Sequence, residues 1–215
     1  MFDDYSFVFQ YYSYYLYGLE QTLIVSLASI AIGILLGIIF AFMKISKVKI
    51  LKMISTAYIN FIRGTPMLIQ VYIVYYGLSF NMPKLAAAII AVSVNCGAYD
   101  AEIIRSGIQS IDYGQMEAGR SLGLSYFRTM QKIILPQAFT HMIPAFCNDF
   151  ISTVKSTSII SVIAIHDLMF NSNVVRSMTF RAFEPLVIAA LIYFTVTYVI
   201  KTLGELLERR LQIND

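Results

Sequence analysis

Charge is scarce in this chain: Asp, Glu, Lys and Arg make up 13% of its 215 residues, against 58% hydrophobic residues and a mean hydropathy of +0.68. That is too little charge to cover a water-soluble globule of this size, so the sequence belongs in a bilayer. Sixteen basic residues against thirteen acidic ones give a formal charge of +3, too mild and too scattered an excess for a nucleic-acid partner. The two cysteines, Cys96 and Cys147, lie inside apolar stretches, where a small buried hydrophobe is expected and a disulfide or metal site is not. A cleavable signal sequence is also not expected. The first twenty residues carry Asp3, Asp4, Glu20 and a tyrosine cluster suited to headgroup level, instead of a basic start and short apolar core. No Gly-x-x-x-x-Gly-Lys-Ser/Thr loop occurs, and Lys155-Ser156-Thr157 lacks the glycines that would let backbone amides surround a phosphate. The chain is therefore not expected to hydrolyse ATP, and no catalytic, metal-ligating or cofactor-holding residue is assigned.

What the chain has is length in its apolar runs. A helix rising about 1.5 Å per residue needs about 20 residues to cross a hydrocarbon core of about 30 Å, and five segments qualify, at about 20–43, 52–79, 85–107, 129–153 and 185–203. The first is uncharged from 21 to 43, and Gly33 and Gly37 are spaced as a close helix-packing face. Pro66 falls inside the second, where a missing backbone donor makes either a kink or a helix start. The apolar run 159–165 is too short for a sixth span and is expected at, or re-entering, the outer membrane boundary. With no internal repeat and no linker, residues 1–215 read as one all-α transmembrane domain.

If the N-terminus is outside, Lys44, Lys47, Lys49, Lys52, Arg105, Arg120, Arg128, Lys132, Lys201, Arg209 and Arg210 all fall on the inner side. Only Lys84, Arg176 and Arg181 fall outside. This positive-inside bias places the polar loop 108–128 on the cytoplasmic face and the C-terminus with it. Within that loop Ser110 or Asp112 can cap a short helix, on which Met116, Gly119, Leu122 and Gly123 would present a low-relief face for a partner.

Glu117-Ala118-Gly119, Gly123 four residues later and Ile134-Leu135-Pro136 resemble the cytoplasmic EAA loop of permease subunits of bacterial ABC importers. Phe61-Ile62-Arg63-Gly64-Thr65-Pro66, Asn95-Cys96-Gly97-Ala98-Tyr99-Asp100-Ala101-Glu102-Ile103, Gly107-Ile108-Gln109-Ser110-Ile111, Pro136-Gln137-Ala138 and Lys155-Ser156-Thr157-Ser158 are similar to the polar amino-acid branch of that family. Five such motifs in order span the chain from about Leu19 to Arg210. The resemblance implies a type I importer permease in the bacterial inner membrane. It also implies a second permease protomer, identical or homologous, two ATPase subunits that hold ATP and magnesium, and an external solute-binding protein that delivers an amino acid. Gly114, Glu117, Ala118, Gly119, Leu122 and Gly123 would then form the coupling helix. Gly119 departs from the family's usual alanine, at a cost of about 1 kcal/mol of helix propensity.

Charges within spans are the candidates for cargo contact, since each costs about 2.5–3.5 kcal/mol at mid-bilayer unless paired or wetted. Arg63, Asn95, Asp100, Glu102, Asn148, Asp149, Lys155 and Ser158 are the expected path residues, with an ion pair from Arg63 to Asp100 or Glu102 as the structural alternative. Asp100 stands where the family usually has an uncharged residue, which together with Asp149 suggests a basic cargo such as arginine, lysine or histidine. His141, a lone imidazole on the fourth span, is expected in a hydrogen-bonded packing role. The competing class is an ion-coupled secondary amino-acid transporter, with Asp100 and Asp149 carrying the coupling, but such proteins are usually built from paired repeats.

Overall fold

The computed structural model describes residues 6–78 and 82–212, and among these there are helices and no strands. The chain runs α1 (Ser6–Ile45), α2 (Lys49–Gly64), α3 (Met67–Leu78), α4 (Lys84–Gln109), α5 (Tyr113–Ser121) and α6 (Tyr126–Thr129). A π-turn (Met130–Ile134) leads into α7 (Leu135–Ser156). A 3₁₀ run (Thr157–Ile163), α8 (Leu168–Thr179) and α9 (Glu184–Gln212) follow. Three helices are long and apolar enough to cross a membrane singly: Phe7–Ile45, Lys84–Gln109 and Glu184–Arg210. The stretch Tyr126–Ile163 joins Leu168–Thr179 as a pair bent by 54°, and Met67–Gly77 is a shorter apolar helix.

α4 covers the third expected span, and α6, the π-turn and α7 together cover the fourth; one correction applies to the second. The helix that contains the first expected span begins at Ser6, because nothing in the tyrosine-rich stretch breaks a helix; Asp3 and Asp4 lie outside the described residues. The 52–79 span is two helices, parted at Thr65–Pro66, and its end at Ser79 lies outside the described residues. The proline has no N–H for the Ile62 carbonyl one turn back. Gln70 takes its place, its Nε2 donating to the Ile62 carbonyl at 2.7 Å and to the Thr65 carbonyl at 3.0 Å. In the 159–165 run Ile160, Ile163 and Ile165 are buried in one cluster with Val25, Val71, Ala88 and Val92, at the bend between α7 and α8.

The longest helix packing is between α1 and α4, and small residues set its distance. A Cβ on Gly37 would lie 2.5 Å from the Asp100 Cβ, and one on Gly33 2.6 Å from the Cys96 Cβ. Backbones approach that closely only where one side lacks a side chain. At the α5 end of the bundle a second cluster (Ala41, Ile59, Ala101, Ile104, Met130, Ile134, Ala138, Met142) joins α1, α2 and α4 to the root of α7. At the other end Asp167 caps α8 by accepting from the Phe170 amide at 2.9 Å. The Leu168 amide donates to Thr22 Oγ1 at 3.1 Å, which seats α8 on α1.

Candidate functional site

Two arrangements are candidates for function, one at the α5 end of the bundle and one inside it. At the α5 end, Asp112 accepts from the Gly114 amide at 2.7 Å and so caps α5. Ser110, the other expected cap, closes α4 instead and contacts His141 Nδ1 at 3.1 Å. The far end of α5 closes as a Schellman motif: the Leu124 amide donates to the Gly119 carbonyl at 3.1 Å and the Gly123 amide to the Arg120 carbonyl at 3.0 Å. That closure needs positive φ, and Gly123 has φ +82° with open space where a Cβ would go. Its glycine serves conformation, not clearance.

α5 therefore has both ends fixed, and its two faces differ. Gly114, Glu117, Ala118 and Leu122 are exposed, Leu122 by 82%. Gly119, expected on the presented face, is buried: a Cβ there would meet Thr129 Cγ2 at 2.5 Å. The physical reason is helical spacing, since Met116 and Gly119 share one side three residues apart and that side is the one laid against α6 and the π-turn. The π-turn precedes Pro136, whose ring cannot accept a regular preceding turn. Gln137 Nε2 donates to the Ile133 carbonyl at 2.8 Å there.

Inside the bundle a cavity of about 190 Å³ lies against the Thr65–Pro66 break, lined by Thr65, Met67, Asn95, Cys96, Tyr99, Asp149, Ser152, Thr153 and Ser156. Asn95 donates to Gln70 Oε1 at 2.9 Å, so the glutamine that repairs the broken helix also orients a wall of the cavity. Gln70 was missed in the sequence; the signal was a lone amide one turn after a proline in an apolar run.

The other expected path residues do not gather there. Asp100 is fully buried in the α1–α4 seam, neither carboxylate oxygen has a hydrogen-bond partner, and it does not line the cavity. The cause is register: Gly33 and Gly37 draw α1 over it. Glu102, two residues on, faces a different side and collects cations. It binds Lys44, receives Arg105 Nη2 at 2.8 Å, and lies 3.9 Å from Arg63 Nη1. Arg63 also stacks over Tyr99, 5.2 Å from the ring centroid. The anticipated ion pair is thus with Glu102, which ties α1, α2 and α4 together. Asn148 and Lys155 are exposed, and Ser158 donates to the Lys155 carbonyl at 2.8 Å.

Membrane-length helices, a polar cavity at a broken span and a capped helix standing off one end of the bundle are the build of a transport permease. Residues 33–213 match the family described as binding-protein-dependent transport system inner membrane component. The chain belongs to that family: it is a multi-pass inner-membrane transport component, not an enzyme. Its relatives place it among amino-acid permeases of the ABC type. It is 38% identical to the arginine transport system permease protein ArtQ of Bacillus subtilis (99% of each chain). It is also 38% identical to the probable glutamine ABC transporter permease GlnM of the same organism (96% of this chain, 97% of that one). A crystal structure of an amino acid ABC transporter with histidines matches with TM-score 0.92 and 39% identity, over 98% of this chain and 100% of that one. An inward-facing MetNI methionine transporter, at 18% identity and TM-score 0.77, shares the fold.

Proposed function

We propose that this chain is the permease subunit of an ATP-driven importer of a polar amino acid with a basic side chain. The observation that carries this reading is the cavity at the Thr65–Pro66 break, which offers one carboxylate, Asp149, the Asn95 amide and several hydroxyls, and no basic side chain. Among the described residues Asp149 has no ion pair, so a cationic cargo group supplies the charge it lacks. The relatives named for arginine and glutamine, and the structure with histidines, support a polar amino acid. Asp100 acts from behind this wall as a packing residue, while Arg63, Lys155 and Ser158 stand at helix ends around it and Glu102 and Asn148 lie within α4 and α7.

In this reading the exposed side of α5, through Gly114, Glu117, Ala118 and Leu122, docks on an ATPase subunit that holds ATP and magnesium. A second permease protomer and a solute-binding protein complete the complex, and the inner face is cytoplasmic, with the N-terminus outside. Leverage follows from the joints: α5 is fixed at both ends and packed on Thr129, and the π-turn joins it to α7. Asp149 lies on α7 about 20 Å beyond Pro136. A displacement of α5 on ATP binding therefore reaches the cavity through one continuous rod.

The test is uptake by the reconstituted transporter carrying Asp149→Asn. Arginine uptake is expected to fall at least about tenfold, a loss of about 1.4 kcal/mol, with glutamine uptake less affected. An unchanged arginine-to-glutamine ratio removes the basic-cargo assignment and leaves the permease role standing. Loss of ATPase co-purification with Glu117→Lys checks the docking separately.

A further inference from the structure

The largest cavity described lies at the inner end, about 870 Å³ between the end of α1, α5 and α6, and coupling to an ATPase does not account for its chemistry. Its lining includes Phe42, Phe127, Lys47 and Arg120, and no carboxylate. Among the described residues neither Lys47 nor Arg120 is paired with an acid. By contrast Lys44, three residues before Lys47, is neutralised by Glu102. Lys47 stands just past the end of α1 at Ile45, where the apolar helix gives way to the membrane surface.

The apolar side of the cavity does not stop at Phe42. Leu35, Ile38, Ile39 and Phe42 are exposed by 62%, 40%, 53% and 41%, and spacings of three and four residues put them in one stripe along α1. The stripe runs along α1 from Leu35 down to the two unpaired cations. An anionic head and an acyl tail joined in one molecule match this layout, whereas an ATPase lying outside the membrane would have to extend up into the hydrocarbon to use the stripe.

We propose that this cavity binds an anionic phospholipid, its headgroup between Lys47 and Arg120 and an acyl chain along the α1 stripe. Placing the lipid in the cytoplasmic leaflet rests on the orientation proposed above; the binding itself does not, and discs with the same lipid in both leaflets keep the two questions apart.

The chain has no tryptophan, so Phe127→Trp installs a single reporter in the cavity wall. The full chain carrying it is reconstituted in discs containing acyl-brominated phosphatidylglycerol or phosphatidylcholine, and quenching is titrated. Phosphatidylglycerol is expected to quench at a lower mole fraction, with the preference falling about fivefold for each of Lys47→Ala and Arg120→Ala. Lys52→Ala removes the same charge from a separate groove and should leave the preference intact. Equal quenching by both lipids overturns the proposal, as does an equal loss with Lys52→Ala, which would mean diffuse surface attraction. Competition by millimolar inorganic phosphate reassigns the site to a free anion. Disappearance of the preference when the ATPase subunit is added reassigns the face to that partner.

Discussion

The α1–α4 seam and the α5–α6 island are both built around glycines, yet the first is finished within the chain and the second is not. In the seam, Gly33 and Gly37 admit Cys96 and Asp100 at contact distance, and the surrounding side chains are buried. On the island, Leu122, Tyr113 and Phe127 are exposed by 82%, 73% and 72%, although every backbone end around them is capped. A well-closed backbone carrying bare apolar side chains is a surface prepared for another molecule. The seam holds the protomer together; in the proposed function the island holds its shape so that a partner can grip it.

The sharpest way to break this contrast is to fill the seam. In Gly37→Leu the new side chain starts 2.5 Å from the Asp100 Cβ and 3.1 Å from its backbone carbon, so the helices must separate, at about 3 kcal/mol or more. A large drop in the melting temperature of the purified chain is expected; an unshifted midpoint would show that the helices are not in close contact there.

Next in size is the ionic knot at the α5 end of the seam. Glu102→Gln leaves Lys44 and Arg105 facing a neutral amide in a site where the glutamate side chain is 17% exposed, at about 2 kcal/mol. Melting measured against Glu205→Gln, whose Lys201 partner is 64% exposed, isolates the effect of burial. Equal shifts in the two variants would mean the knot is no stronger than a surface pair.

These two acids also show how much was legible in advance. The spans at α4, α7 and α9, the Gly33/Gly37 packing face, the short capped helix and the break at Pro66 could all be read from apolar length, glycine spacing and proline chemistry. Which way Asp100 and Glu102 point could not. Two residues apart on a helix are about 200° around the axis, and whether one of them meets a glycine seam or a cluster of cations depends on a helix more than fifty residues away. The same limit hid the inward turn of Gly119 and the burial of 159–165, since both depend on which side of an element the rest of the bundle occupies.

On the island, a substitution should separate shape from grip. Leu122→Asp changes a side chain that is 82% exposed, so the chain's own stability should move by less than about 0.5 kcal/mol. Co-purification with the ATPase should weaken at least about tenfold, or about 1.4 kcal/mol. A variant that melts normally and still retains its ATPase would remove Leu122 from the interface.

The smallest effect tests whether the island's inner side behaves as a miniature of the seam. Gly119→Ala gains about 1 kcal/mol of helix propensity, but its methyl arrives 2.5 Å from Thr129 Cγ2 and 3.0 Å from its Oγ1. The obstruction is a side chain, not backbone, so Thr129 can yield by turning, at the expense of its 3.0 Å donation to the Ser125 carbonyl. The two contributions oppose each other at similar size, and the net change should fall within about 0.5 kcal/mol. Thr129→Ser removes the obstructing methyl and keeps the hydroxyl, so Gly119→Ala made in that background should be more favourable than in the parent by about 0.5–1 kcal/mol. If the two backgrounds respond alike, α5 is not seated on Thr129, and the rigid joint between the island and α7 loses its closest contact.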